Sequence, residues 1–472
     1  MSRSPSVTDA MQRRERLLSG PIVPTMLSLA APSTVVMIVQ IFVSLAETYF
    51  LSFLGTSALA AITLVFPVLT FMQMVANGDF GGGVASAVAR ALGRGAKDDA
   101  DALMFHALVL GIAFGVLFSL AEWLWGRALY RFLGGGEVVL VEALTYAGII
   151  FSGAALVWVV SLLAAGLRGS GNVLAPAVVV VAAAVIVVPL SPALIFGWGP
   201  FPRLGIAGAA IAVLAYYFTA AVGLIVFLCR GRNSLRLSFG ARQIQWRLLA
   251  DVLRVGGISA VRTTQSCLAI LLITGAVGAF GANAIAGYGI ASRLDYLIIP
   301  LLFGLGTAIL TMVGANVGAE HPARAYRIAW IGTLAAAGIT ELIGVVFALV
   351  PGAWLGLFSH DPRVVALGSI YLRTVGPFFG FFGAGIAIFF VSQGVGRLAW
   401  PFVAASGRLA IVALVAWLVL GGRGGSLAAL FAVVAVSYVG FGAISAGTFL
   451  PATWRRAGAP PVRRPHPLGT EG

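Results

Sequence analysis

Long apolar runs separated by short polar loops fill the chain. Taking about 20 predominantly apolar residues as one membrane-crossing helix, twelve spans are read, at residues 22–53, 58–88, 101–125, 140–166, 173–195, 205–229, 254–279, 284–314, 326–350, 366–392, 399–420 and 427–450. In hydrocarbon every backbone amide must find its partner within the segment, which makes each run a helix. The first, second and eighth runs are the longest, so tilt or kinking is expected there.

The pattern recurs at half the chain length. LGRGAKDDADAL (92–103) aligns with VGAEHPARAYRI (317–328), placing Gly93 on Gly318 and Ala100 on Ala325. GSGNVLAP (169–176) aligns with GVGRLAWP (394–401), placing Gly169 on Gly394, Gly171 on Gly396 and Pro176 on Pro401; both pairs share an offset of 225. FLGTSALAAI (53–62) aligns with FGANAIAGY (280–288) at almost the same offset, with Gly55 on Gly281. Three correspondences in order mark a duplicated six-helix unit. Because six is even, both units enter the membrane in the same orientation, as parallel repeats about an axis along the membrane normal. The expected fold is therefore an all-α polytopic membrane protein, with twelve transmembrane helices in two pseudo-symmetric six-helix bundles around a central cavity. The expected parts are a tail (1–20), a first bundle (21–229), a basic linker (230–253), a second bundle (254–450) and a second tail (451–472).

Composition excludes a soluble domain: 60% of residues are hydrophobic and 10% charged, and the mean hydropathy is +1.01. The net charge of +14 would point to nucleic acid in a soluble chain. Here the arginines sit in loops, and their placement is an orientation signal. With the N-terminus in the cytoplasm, inner loops collect Arg90, Arg94, Lys97, Arg168, the run from Arg230 to Arg254, Arg324, Arg327, Arg397 and the tail, against Arg127, Arg131, Arg203, Arg363 and Arg423 outside. Both termini are expected in the cytoplasm, with the chain multi-pass in the plasma (inner) membrane. No nucleic-acid partner is expected, nor a cleavable signal peptide.

Cys229 and Cys267 have neither disulfide nor zinc spacing, and His106, His321, His360 and His466 lie in separate segments. No GxxxxGK[ST] loop is present to cradle ATP. KDDADAL (97–103) has the wrong spacing for a diphosphate-binding motif and reads as a solvated helix start. No enzyme, metal or cofactor is expected.

Polar groups inside the spans carry the candidate chemistry. Gln40, Ser44 and Glu47 are spaced i, i+4, i+7 and share one helix face. A charge at the bilayer centre costs roughly 2.5–3.5 kcal/mol on insertion scales, so such groups face a protein interior or a wet cavity. Glu47 is read as an ion-carrying or substrate-gating group; the alternative places it at the outer interface, capping a helix end in water. Pro32, in the same span, is a candidate hinge. Asp79, beside Gly81, Gly82 and Gly83, is a second candidate, with Asn77 as its possible partner. Arg293 and Asp295 point apart on a helix and each needs a partner elsewhere. Glu341 lacks a polar stripe and is assigned a structural or interfacial role. Phe378 and Phe379 are candidate cavity walls for a hydrophobic or cationic ligand, against the commoner packing role of such runs; Tyr146 and Trp158 are open in the same way.

The AAP start of the first span (30–32), the Glu47-Thr48 pair followed by Leu54-Gly55, the doubled glycine loops, RGSGN…P (168–176), IFGWGPFPRLGIAGAA (195–210) and ASRLDYLIIPLLFGLGTAILTMVGANVGA (291–319) together resemble the multidrug and toxic compound extrusion (MATE) family. The similarity runs from about Leu27 to Leu450. It implies a secondary antiporter that exports drug-like, often cationic or amphipathic small molecules in exchange for protons or sodium, by rocking two bundles around a cavity. Such a protein needs no cofactor beyond the coupling ion, has the bilayer and a small-molecule substrate as partners, and works as a monomer.

Several positions depart from the family. Glu47 stands where an Asp implicated in cation binding is usual. Val187 and Ser191 replace an Asn and an Asp; Gln265 or Ser266 stands where some sodium-coupled members carry Glu; Asp295 stands where Glu is usual. Glu47, Asp79 and Asp295 are thus the candidate coupling groups, and Gln40, Ser44, Gln265, Arg293, Phe378 and Phe379 the candidate cavity. A flippase of lipid-linked precursors is the alternative within the wider superfamily; it would show a cationic cavity, and Arg262, Arg293, Arg373 and Arg408 lie in or near spans. A membrane-embedded transferase would need a cluster of acids that the sequence does not display.

Overall fold

The computed structural model describes residues 5–134, 136–230, 235–237, 244–419, 421, 425–451 and 454, without the side chains of 5–10, 295 and 296. A surface helix, α1 (Pro5–Ser19), precedes the first span, α2 (Ile22–Ser52). The second span is α3 (Thr56–Met74), a π-helical turn (Val75–Phe80) and α4 (Gly81–Gly93). There follow α5 (Lys97–Phe132), the pair α6 (Glu137–Ser152) and α7 (Ala154–Gly169), then α8 (Leu174–Phe196) and α9 (Ile206–Cys229). The second bundle runs through α10 (Trp246–Gly278), α11 (Ala282–Ser292) with α12 (Asp295–Gly318), α13 (Pro322–Leu349), a short α14 (Pro351–Leu355), α15 (Pro362–Val375) with α16 (Phe379–Val395), α17 (Ala399–Leu418) and α18 (Leu427–Ser445). Eleven helical stretches are long and apolar enough to cross a membrane, and counting the bent pair α6–α7 as one makes twelve.

Each interruption has a local cause. The α6–α7 pair bends by 48° at Gly153, where the Leu214 side chain occupies the space a Cβ would need. The second span widens into its π-turn beside the triple glycine, and the eighth breaks at Arg293 and Leu294 between α11 and α12. The tenth passes through a 3-10 turn (Gly376–Phe378), where Glu341 accepts a 2.7 Å hydrogen bond from the Gly380 amide. That contact gives Glu341 its structural role: it satisfies an amide freed at the break.

Two length expectations are corrected. The third span, at 36 residues, is longer than the first, at 31, and the first continues through Pro32 as one helix. The seventh begins at Trp246, so the helix absorbs part of the expected linker. Residues 231–234 and 238–243 of that linker, and nearly all of the 451–472 tail, lie outside the described residues.

The duplication is visible in the backbone. Gly171 and Gly396 have φ of +78° and +79°, Gly55 and Gly281 of +111° and +96°. After the second and eighth spans, Ala96 N donates to Ala91 O at 2.9 Å and His321 N to Asn316 O at 2.8 Å, the same helix-ending turn at matched positions. Gly95 holds its left-handed residue at φ +78°, and Glu320 takes that place at +60°.

The bundles have separate cores, one around Trp158, stacked on Phe114 and in contact with Phe80 and Phe118, the other around Tyr288, Tyr371 and Phe431. They meet in the halves nearest the arginine-rich loops, here termed the basic face. A Cβ at Gly93 would strike the Ala315 carbonyl and one at Gly318 the Arg90 carbonyl; these are repeat mates, so α4 and α12 cross reciprocally, backbone on backbone. Ala85, Ala165, Val255, Leu310, Phe389, Phe390 and Leu398 fill the seam. Helix α2 belongs to both sides: Met26, Leu29 and Ala30 pack into the second core, whereas Val36, Val39, Val43 and Phe50 lie on the first. Pro32 marks the changeover. Away from the basic face, α3 packs on α6 and α11 on α15, each within its own bundle, which leaves a cleft open toward the far face.

Candidate functional site

The first wall of the cleft is built where α2 rests on the first bundle. Glu47 accepts a 3.0 Å hydrogen bond from the Tyr146 hydroxyl of α6. One turn and more toward the basic face, Gln40 faces the Tyr216 hydroxyl of α9, and Tyr217 accepts a 3.0 Å bond from Gln73 of α3. Tyr216 and Tyr217 are in edge contact at 4.8 Å. Gln40, Ser44 and Glu47 are all half-buried, so the polar face predicted from their spacing turns inward. It meets hydroxyl and amide partners, and one carboxylate serves the whole cluster. Where the family pattern would supply an Asn and an Asp, Val187 is buried in the core and the Ser191 hydroxyl is buried without a partner among the described residues.

The second wall is cationic and aromatic. Arg262 of α10 lies 3.8 Å above the Phe389 ring. Arg408 of α17 lies 5.0 Å from the Tyr438 ring and 5.8 Å from that of Phe382. Gln265, one turn beyond Arg262, donates to Ser406 at 2.9 Å. At the floor, where the bundles part, the Thr263 hydroxyl donates to Asp79 at 3.0 Å across the seam. Asp79 is 1% exposed, and its other oxygen has no partner among the described residues. The partner of Asp79 is thus Thr263 of the opposite bundle and not Asn77, which lines a small pocket at the seam with Gly78, Arg168, Thr307, Thr311 and Phe390. Arg168 stands 5.7 Å from the Phe303 ring.

Beneath the floor the basic side is fastened shut. Arg90 donates to the carbonyls of Gln393 (3.2 Å) and Gly394 (3.0 Å) and to Asp251 (2.7 Å). Gln393 donates to the Gly78 carbonyl (2.9 Å) and to Ser259 (3.1 Å), and Thr311 to the Arg168 carbonyl (3.1 Å).

A duplicated bundle pair, a cleft open on one face and polar groups on both walls set the frame for comparison. The MatE family profile matches residues 32–193 and 260–418, one stretch in each bundle. The chain belongs to the MATE family. Among its relatives, an FAD transporter of Shewanella oneidensis is 30% identical over 81% of this chain and 84% of its own. A probable multidrug resistance protein NorM of Thermotoga maritima is 26% identical over 75% and 76%. A solved MATE structure in a bent conformation superposes with a TM-score of 0.85 at 21% identity, covering 97% of this chain and all 100% of that one. As a MATE chain, the protein is a membrane transporter.

Within the MATE frame some sequence candidates move. Phe379 is 1% exposed and packed in the second core against Tyr438, so it is not a cavity wall; Phe378, in the 3-10 turn, is 37% exposed. Arg293 is exposed and stands 5.8 Å from the Phe358 ring of a far-face segment, apart from the Arg262 wall. Asp295 opens α12, and its side chain lies outside the described residues. The tyrosines of α9, Gln73 and Thr263 were missed by sequence reasoning. Their signal was a polar atom within an apolar run, which spacing alone does not distinguish from packing.

Proposed function

We propose that the protein exports amphipathic small molecules in exchange for protons by alternating access, with Glu47 as the proton-carrying group. The observation that carries this reading is the Tyr146 hydroxyl on Glu47: a single carboxylate, held between α2 and α6 beyond Pro32, can load and release one proton. The basic face is the cytoplasmic face, the cleft opens outward, and one chain suffices. Protonation removes the charge that holds the Glu47 face of α2 among its donors, α2 bends at Pro32, and the cavity changes shape. One charge moving through the membrane potential supplies about 2.3 kcal/mol per 100 mV, and each pH unit about 1.4 kcal/mol. Both MATE relatives bear names consistent with organic cargo.

The arginines of the second wall favour a second reading. A carrier that flips lipid-linked anionic precursors would use the same cationic cleft. FAD, in the name of the Shewanella relative, also joins a flat ring system to a diphosphate, so the charge of the wall fits soluble and lipid-linked anions alike.

Efflux from proteoliposomes, driven separately by pH and sodium gradients, tests the proposal. A pH gradient is expected to drive wild-type efflux and to fail with Glu47→Gln while ligand still binds. Efflux driven by sodium alone, or undiminished in Glu47→Gln, would overturn it.

A further inference from the structure

Two guanidiniums, Arg262 and Arg408, face each other's field in the second wall, and Asp79 of the first bundle is the acid that acts on Arg262 among the described residues. Neither arginine forms an ion pair among the described residues, and the Nε of each is buried without an acceptor. Aromatic faces cover them. A ring face satisfies the plane of a guanidinium, not its N–H edge, and that edge is shaped for a carboxylate or phosphate. The wall is therefore one negative charge short.

Asp79 shows the complementary deficit. One of its oxygens takes the Thr263 hydroxyl and the other takes no partner among the described residues, although the carboxylate is 1% exposed. It sits on the π-turn at the deepest point of the seam, so its attraction to Arg262 pulls the two bundles together where the cleft ends.

We infer that Arg262 and Arg408 form the seat for an anionic group, phosphate or carboxylate, on an aromatic cargo, and that Asp79 is the counter-ion this anion replaces. The inference rests on the export reading and adds the chemical class of cargo to it. A cargo anion on Arg262 neutralises the charge that holds Asp79, weakening the tie between α10 and the π-turn. Loading then weakens the contact at the floor, which couples occupancy of the seat to how the bundles are held together.

The test uses the purified full chain in detergent micelles, titrated with riboflavin 5′-phosphate and with riboflavin, fluorescent probes that differ only in the phosphate. The phosphate form is expected to bind about 10-fold or more tightly than riboflavin, a difference one charge-assisted contact can supply. Arg262→Gln is expected to erase the difference, Arg262→Lys to keep part of it, and Asp79→Asn to tighten the phosphate form alone. Equal, measurable binding of the two flavins by wild type overturns the seat without any variant. Weaker phosphate binding in Asp79→Asn overturns the exchange. Undecaprenyl diphosphate in the same micelles separates the sources: binding of it alone assigns the seat to a lipid headgroup, binding of riboflavin 5′-phosphate assigns it to a soluble anion, and binding of neither overturns it. Gradient-driven efflux is read apart from these titrations, so loss of the export reading and loss of the seat are distinguishable.

Discussion

Arg90 donates to the carbonyl of Gly394 at 3.0 Å, from α4 of the first bundle to the C-terminal turn of α16 in the second. The same guanidinium reaches Gln393 O at 3.2 Å and Asp251 at 2.7 Å. Side-chain exposure in the Asp251 pair is 10% for Arg90 and 44% for Asp251, so solvent screens the ion pair, and the carbonyl bonds carry most of the fastening.

Arg90→Ala is expected to open the basic side. Hydrogen bonds to charged groups contribute about 1.5–3 kcal/mol each, so losing them moves the closed-to-open ratio by about 10-fold or more. The check is thiol labelling of Thr307→Cys, at the seam pocket, with Cys229 and Cys267 replaced. Unchanged labelling from the basic side would show that Arg90 does not hold it shut.

Two glycines at helix ends, one facing the other bundle and one its own, predict opposite failures. Gly318→Ala sets a methyl against the Arg90 carbonyl of the other bundle, whereas Gly169→Ala sets one against Ala85 of its own. The first should shift the same labelling toward the open state with the bundles still folded. The second should lower the yield of folded protein, by the 1–3 kcal/mol typical of overpacking. Equal loss of yield from both would contradict the assignment of Gly318 to a contact that transport breaks.

Glu47→Asp keeps the charge, and Asp is the usual residue in the family, yet it shortens the reach to Tyr146. Tyr146→Phe removes the hydroxyl outright. Both are expected to lower pH-driven efflux about 10-fold, the worth of one hydrogen bond to a charged group, with ligand affinity within about 2-fold of wild type. Full efflux in Tyr146→Phe would leave the tyrosine a packing residue.

Glu320 stands at φ +60° where its repeat mate is Gly95, and its side chain is exposed. Glycine takes this conformation without a Cβ penalty, so Glu320→Gly should stabilise the fold by about 0.5–1 kcal/mol. A rise in the thermal midpoint measures it; a fall would mean that the side chain has a role its exposure does not reveal.

The fold was legible because hydrophobic length and a repeated glycine register are properties of the chain itself. Gly93 and Gly318 aligned in sequence, and in the fold each faces the helix that carries the other. The Glu47 face was legible for the same reason, since i, i+4, i+7 spacing fixes a face. Its partners were not: Tyr146, Tyr216 and Gln73 come from three other helices, and helical spacing carries no information about which helices adjoin. Phe379 misled because an aromatic run looks alike on a core and on a cavity wall. Arg262 was weighed for its charge, but its ring partner Phe389 and its neighbour Asp79 lie far away in the chain.

The link between the bundles has its own anchorage. Asp101 accepts the Arg236 amide at 2.7 Å, Asp99 pairs with Arg247 at 3.0 Å, and the Gln245 amide donates to His106 at 3.0 Å, which places the imidazole proton on Nδ1, facing the Ala102 carbonyl. Arg236, inside the crossover, and Gln245 and Arg247, at its far end, are thus held on the opening turns of α5. The connection between the bundles therefore has two described points of attachment on one helix of the first bundle. Any movement of the second bundle that draws α10 away from α5 has to break these polar contacts first, so the attachment sets a cost on displacement at this edge.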